Sequence, residues 1–412
     1  MTTSNAPRRQ ILSKQEAVDF VLAQVAPLTE MEIVLLDAAL GRVLAQPLVS
    51  AINVPSWDNS AMDGYAIRHA DLAAHNGQLP VAQRIPAGSI GVALEPGTAA
   101  RIFTGAPIPA GADTVVVQEN CERDGEWVRI PLDCKAGTNI RCIGEDVRAG
   151  AEICAAGTRL APQHLGLAAT IGAAQVTVYR RLRVAVLTTG DELAQPGEAL
   201  QPGQIYNSNQ FMLHGMLRAW GCEVVEIGIV ADSREATVAA LQRGAHTADL
   251  IIASGGVSVG EEDHLKPALE ELGSLALWNI NIRPGKPVAF GTIAGTPVLG
   301  TPGNPVSLFV TCCLFARPLV LRRQGISGDL APRVLKIRAG FAWTKPDKRA
   351  EFHRARLQTG ADGELEVAVF PTRSSAVVSS LTWADGLIEL APRRVIAPGE
   401  MVDFLPFADL LH

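Results

Sequence analysis

Several absences bound what this chain can be. Long basic runs are missing and the formal charge is −6, so the electrostatic footprint of a nucleic-acid or membrane-surface protein is not present. No apolar segment follows Arg8 and Arg9, which argues against a secretory signal. The most apolar stretch, 306–321, is interrupted by Ser307, Thr311, Arg317 and Pro318, and it reads as a buried helix rather than a bilayer span. Seven cysteines include no Cys-x-x-Cys pair and no histidine at zinc-ligand spacing. Their odd number predicts reduced thiols and a cytoplasmic location. Cys312 and Cys313 lie inside the apolar stretch and read as core packing. The eight histidines show no ligand spacing, and His264 and His353, the two near candidate site segments, read as structural.

The 412 residues, 48% of them hydrophobic, give enough apolar surface for roughly two to four domains. Residues 13–25 carry helical periodicity, with Ser13 and Glu16 spaced as a capping box. Beyond Pro47, short apolar runs broken by Gly and Pro predict a small β domain over about 50–144. A helix over 160–167 and a strand over 173–178 are predicted to return to the N-terminal helix. From Leu182 to about Arg323, strand and helix signals alternate: strands over 182–187, 223–230, 249–253, 275–282 and 288–290, and helices over 209–220, 232–245 and 265–272. That alternation predicts an α/β module with a doubly wound, mostly parallel sheet. The remaining 331–412 read as a small β barrel or sandwich.

Ligands of such sheets sit outside the carboxyl ends of the strands, and five polar loops fall there: 188–192, 231–232, 255–263, 283–287 and 300–305. Ser254-Gly255-Gly256-Val257-Ser258-Val259-Gly260 allows backbone N–H groups to approach an anion closely, although a tight strand-to-helix turn needs the same glycines. Glu261, Glu262 and Asp263 at its end imply a divalent cation, since carboxylates would otherwise repel a phosphate. Arg283-Pro284-Gly285-Lys286-Pro287 sets two cations in a Pro-bracketed turn, fit either for an oxyanion or for solvent. Thr188 to Glu192 supplies an acid pair, and Asp232 either a further acid or a helix N-cap. Asp58-Asn59-Ser60-Ala61-Met62-Asp63-Gly64-Tyr65 is a turn-prone block bearing two acids, open to reading as an Asx-turn. Arg101 to Pro109 reads as a strand ending in a polar elbow with Thr104 as its hydroxyl.

Six of these blocks, in order along the chain, are 58–65, 101–109, 189–192, 254–260, 284–287 and Pro302-Gly-Asn-Pro-Val-Ser307. Together they resemble the molybdopterin molybdenumtransferases, the MoeA and gephyrin E-domain family. The resemblance runs from about residue 10 to 410. It implies an α/β plus β multidomain protein: an elongated linker domain from 1–50 and 145–181, a small β domain at 51–144, a molybdopterin-binding α/β domain at 182–330 and a C-terminal β barrel at 331–412. It further implies a homodimer whose cleft joins the α/β domain of one subunit to the β-domain side of its partner.

The implied reaction opens the phosphoanhydride of adenylylated molybdopterin, releases AMP and places molybdenum from molybdate on the dithiolene, with Mg2+ as the metal. Carried over block by block, Asp63, Thr104, Glu192, Asp232 and Asp263 form the substrate and metal centre, with Glu192, Asp232 and Asp263 as metal ligands. Gly255, Gly256 and Ser258 cradle the phosphates. Arg283, Lys286, Arg354 and the Ser375 hydroxyl hold molybdate, with Ser307 nearby, and Asp58 is structural. Expected partners are a second copy of the chain, a molybdopterin adenylyltransferase and downstream molybdenum enzymes or their chaperones, with no nucleic acid and no membrane. The chain departs from the family pattern at Arg283, where Lys is common, at Asn279 and His264, and at Arg373-Ser374-Ser375, which replaces a Gly-containing turn. A receptor-clustering scaffold of the gephyrin type and a molybdopterin adenylyltransferase are the alternative readings.

Overall fold

The computed structural model describes residues 11–257 and 263–411. Its centre is a six-stranded sheet in the order Glu223–Val230, Arg183–Thr189, Leu250–Ser254, Thr296–Thr301, Ala289–Ile293, Gly273–Trp278. The first four strands are parallel, and Ala289–Ile293 runs antiparallel to both of its neighbours. The sequence dictates the double winding through strand alternation. Val184 and Val186 point into a core with Leu213, Leu217 and the apolar stretch beyond Val306. Ala185 and Leu187 face the opposite core with Leu241, Leu265 and Leu269. The central strands are therefore apolar on both faces, as buried parallel strands are.

The stretch Pro305–Arg323 is the one helix among the described residues long and apolar enough to cross a membrane, but 89% of it is buried in the protein. Cys312 and Cys313 sit inside it, almost fully buried, and burial pushes both thiols up.

The N-terminal helix Lys14–Ala23 carries the expected capping box, Ser13 and Glu16 each accepting the other's backbone N–H. Its apolar residues Ala17 and Val21 join the core of the α/β domain with Leu314 and Phe315. The strand Gln175–Tyr179 therefore does not return to this helix; it pairs antiparallel with Met31–Leu35. The small β domain holds a sheet in the order Thr114–Val117, Gly64–Ile67, Ala99–Ile102, Gln78–Ile85, Trp127–Arg129, Glu122–Asp124. At the C-terminus, Ala350–Thr359, Leu365–Val369, Leu335–Ala339, Met401–Pro406 and Gly386–Leu390 close into a five-stranded barrel, because the first and last of these also pair.

One predicted strand is in fact two. Asn279 adopts a left-handed conformation, φ 67°, which a β ladder does not accommodate, and it ends the strand at Trp278. The chain then forms Ile282–Arg283, which pairs in parallel with Ala350 and Glu351 of the barrel. The 283–287 turn thus starts from the expected sheet edge but is anchored on the C-terminal domain.

Candidate active site

The strand directions place the loops after Thr189, Val230, Ser254, Trp278 and Thr301 at one edge of the sheet. The order reverses between Arg183–Thr189 and Leu250–Ser254, where a doubly wound sheet opens its crevice. A cleft of about 550 Å3 lies there, lined by Thr189, Glu192, Asn209, Ser254, Gly303 and Asn304 among others. Gly255 has φ 93°, and a β-carbon on it would fall 2.6 Å from Thr189 Oγ1; only glycine lets the two loops meet this closely. Gly256 accepts the Leu265 N–H through its carbonyl at 3.2 Å, which brings Asp263, just ahead of Leu265, back to the glycine loop. Ser258 lies outside the described residues.

The acids on the other side of the crevice are tied together. Asp191 N–H donates to Asp232 Oδ2 at 3.1 Å, and Asp232 N–H donates to Asp191 Oδ1 at 3.0 Å. Asp232 is not a helix N-cap. Ser233 takes that place, accepting the Ala236 N–H at 3.2 Å ahead of Arg234–Thr247. The Asp232 carboxylate is thereby left to face the 188–192 loop. Among the described residues no group of three or more His, Cys, Asp or Glu side chains forms a ready-made metal cage. Glu192 and Asp232 suit a cation that takes its remaining ligands from substrate oxygens and water, as Mg2+ commonly does.

The turn that follows Arg283 packs on the Pro305 helix. In the turn after Arg283, Gly285 has φ 100°, and a β-carbon there would lie 2.7 Å from Thr311 Oγ1 and 3.6 Å from the Ser307 carbonyl oxygen. The turn is therefore seated against the helix face that carries Ser307, and Lys286 beside it is exposed. Ser375 reaches the same place through its backbone, its carbonyl accepting the Val306 N–H at 3.0 Å. The first turn of this helix is largely committed to protein partners, since Pro305 has no N–H, Val306 donates to Ser375 and Leu308 donates to the Asn304 carbonyl at 2.9 Å.

Two of the expected oxyanion residues already have protein partners, Arg354 wholly and Arg283 in part. Arg354 is buried, donating through Nε to Ser380 Oγ at 2.9 Å and through Nη2 to the carbonyls of Thr372 and Ser374 at 2.7 and 3.2 Å. It fixes the loop that presents Ser375 instead of presenting an open fork. Arg283 donates from Nη1 to Asp347 Oδ2 at 2.6 Å, and its side chain remains 36% exposed.

In the β domain, Asp63 and Thr104 form one unit. Asp63 Oδ1 accepts both the backbone N–H and the hydroxyl of Thr104, each at 2.8 Å. These two bonds, aided by the charge of Arg101, hold the Asp63 carboxyl below its ordinary value, so it stays ionised. Arg101 itself donates to the Gly64 carbonyl at 2.8 Å and also bonds Gln118. Asp58 is structural, its Oδ1 accepting the Ile143 N–H at 2.7 Å. No β-domain residue lines the strand-edge cleft of the same chain.

Two contributors carried no recognisable sequence signal. Asn209 donates to Ser254 Oγ at 2.9 Å and to the Gly303 carbonyl at 2.6 Å, binding two walls of the cleft. The polar run Asn207-Ser208-Asn209 ahead of a helix was its only trace, and it looks like ordinary capping. Asp347 stands in a barrel loop among lysines and prolines, where nothing in the pattern pairs it with Arg283.

Comparison with known proteins finds one family along the whole chain. Residues 12–172 match the family described as MoeA N-terminal region (domain I and II), 185–322 the probable molybdopterin binding domain, and 336–407 the MoeA C-terminal region (domain IV). A molybdopterin molybdenumtransferase of Haemophilus influenzae is 39% identical, covering 97% of this chain and 100% of that protein. One from Mycobacterium tuberculosis is 37% identical over 94% of this chain and 96% of its own length. A crystal structure of a molybdopterin biosynthesis MoeA protein from Pyrococcus horikoshii superposes with a TM-score of 0.84 at 27% identity, covering 96% of this chain and all of that one.

Proposed function

This chain belongs to the MoeA family of molybdopterin molybdenumtransferases, and from that premise we propose that it completes the molybdenum cofactor by inserting molybdenum into adenylylated molybdopterin with release of AMP. The observation that carries the reading is the meeting, at one sheet edge, of a glycine-lined anion loop, an acid pair and a cationic turn.

Each part has a distinct task. The Gly255–Gly256 loop and Thr189 receive the phosphate-bearing end of the substrate, and Asn209 keeps the cleft walls at fixed separation. Glu192, Asp232 and Asp263 would hold Mg2+, whose charge lowers the cost of the developing negative charge on the anhydride oxygens. Lys286, Arg283 and Ser307 hold molybdate, a tetrahedral dianion, beside the dithiolene. Arg354 acts on that site indirectly, by fixing the Ser375 loop. A water oxygen attacks the adenylyl phosphorus, the anhydride P–O bond breaks and AMP leaves; the two dithiolene thiols then bind molybdenum, and one molybdate oxygen leaves with their protons as water, with no change of oxidation state.

The Asp63–Thr104 unit completes the site from a second copy of the chain. Trp57, just ahead of the 58–65 block, and Met62, next to Asp63 within it, are exposed apolar side chains, which a partner surface would cover. Supply of substrate by a molybdopterin adenylyltransferase, delivery to molybdenum enzymes and a cytoplasmic setting follow from the same reading.

Asp63→Ala and Asp263→Ala, each purified alone with molybdate and Mg2+ present, should release AMP at least about 100-fold more slowly than wild type. Co-expressed as mixed dimers they should recover about one quarter of wild-type activity, since half of the dimers then hold one intact composite site of two. A wild-type rate in either single variant refutes its assignment, and mixed dimers as inactive as the single variants refute the shared cleft.

A further inference from the structure

The turn that carries Arg283 and Lys286 stands on a network in the C-terminal barrel. Ile282 and Arg283 pair with Ala350 and Glu351, so Arg283 lies directly beside a glutamate that is almost fully buried. Glu351 Oε2 accepts the Asp347 N–H at 2.8 Å and the Trp343 indole N–H at 3.1 Å. Its other oxygen faces His353 Nε2 at 3.4 Å and Arg373 Nη1 at 3.7 Å. Arg373 also lies over the Trp343 ring, 4.1 Å from its centroid. The loop leading to Ser375 and the loop bearing Asp347 thus hang from the same buried carboxylate.

Asp347 in turn holds two guanidinium groups. Its Oδ2 accepts Arg283 Nη1 at 2.6 Å and Arg349 Nη2 at 3.2 Å, while Oδ1 accepts the Arg349 Nε at 3.1 Å and its backbone N–H at 3.0 Å. One carboxylate between two permanent cations leaves a net positive charge, so it orients the guanidinium groups without cancelling them. An Arg side chain free in solvent would lose rotamer entropy on gripping an anion; one already held through a single nitrogen keeps the rest of its fork available at a fixed place.

We infer that Asp347, itself held by Glu351, is a positioning residue for oxyanion binding that acts through Arg283. The inference rests on the reading of Arg283 as a molybdate-holding residue. It assigns specificity for the tetrahedral dianion in part to a carboxylate, a group that would by charge alone repel it. The two effects oppose each other and are separable by measurement.

The test is a double-mutant cycle on the full-length protein, following AMP release from adenylylated molybdopterin as a function of molybdate concentration. Arg283→Ala should raise the KM for molybdate about 10-fold or more with a much smaller change in kcat. Asp347→Ala should do the same in the wild-type background and add less than about 2-fold when Arg283 is already alanine. Asp347→Asn, which keeps the shape of the side chain and removes the charge that pins both arginines, should also raise KM. If Arg283→Ala leaves KM unchanged, the oxyanion reading of Arg283 fails and the inference falls with it. If Arg283→Ala acts but the two substitutions multiply independently, or Asp347→Asn lowers KM, the positioning role alone is overturned.

Discussion

At the scale of the residue, the candidate site is governed by which charges are committed to protein partners and which remain open. Asp63 is ionised because two donors of Thr104 converge on one of its oxygens. Glu351 shows the same logic in a buried setting. Burial alone would raise its carboxyl, yet the neighbouring His353, with bonds from the Asp347 N–H and the Trp343 indole, brings it down to about 2 from an ordinary 4.5. A depressed folded value means that the stabilisation is complete above pH 4.5 and is lost as the pH falls toward 2. His353, held below 6.5 chiefly by burial, acts in the same direction at higher pH. Glu351→Gln should therefore flatten the acid limb of a plot of urea midpoint against pH below 4.5. An acid limb identical to wild type would show that the network is not what keeps Glu351 charged.

At the scale of the element, packing decides where these residues point. The strand Gly64–Ile67 runs so close to Thr114–Val117 that a β-carbon on Gly64 would strike the Val116 carbonyl oxygen. Gly64→Ala should therefore cost about 1–3 kcal/mol by forcing backbone shifts, read as a lower urea midpoint; an unchanged midpoint would contradict the close approach. The double winding and the strand-edge crevice were legible because both depend on short-range patterns: apolar runs followed by Gly-rich or acidic loops. Three features were not. The pairing of Ile282–Arg283 with the barrel is a long-range choice made after Asn279 breaks the strand. The N-cap of Arg234–Thr247 lies one residue beyond Asp232, at Ser233, because the aspartate is drawn to the Asp191 N–H. Arg354 has the same sequence character as an exposed cation but is enclosed by Ser380 and two carbonyls. In each case a tertiary partner, invisible along the chain, overrode the local signal.

At the scale of the whole molecule, the α/β domain supplies the cleft, the barrel anchors its oxyanion turn, and the β domain carries an acid that the cleft of its own chain does not use. In the proposed dimer, that division of labour gives the Asp58–Tyr65 block a purpose. It also predicts coupled chemistry: the anhydride should open productively only when an oxyanion occupies the turn held by the barrel. The most direct measurement follows AMP release and protein-bound molybdenum together, with purified protein, adenylylated molybdopterin, Mg2+ and molybdate. The account predicts that one molybdenum is incorporated per AMP released and that AMP release without molybdate is slower by about 10-fold or more. Consumption of ATP with free molybdopterin, or AMP release at the same rate with no molybdenum incorporated, would contradict it.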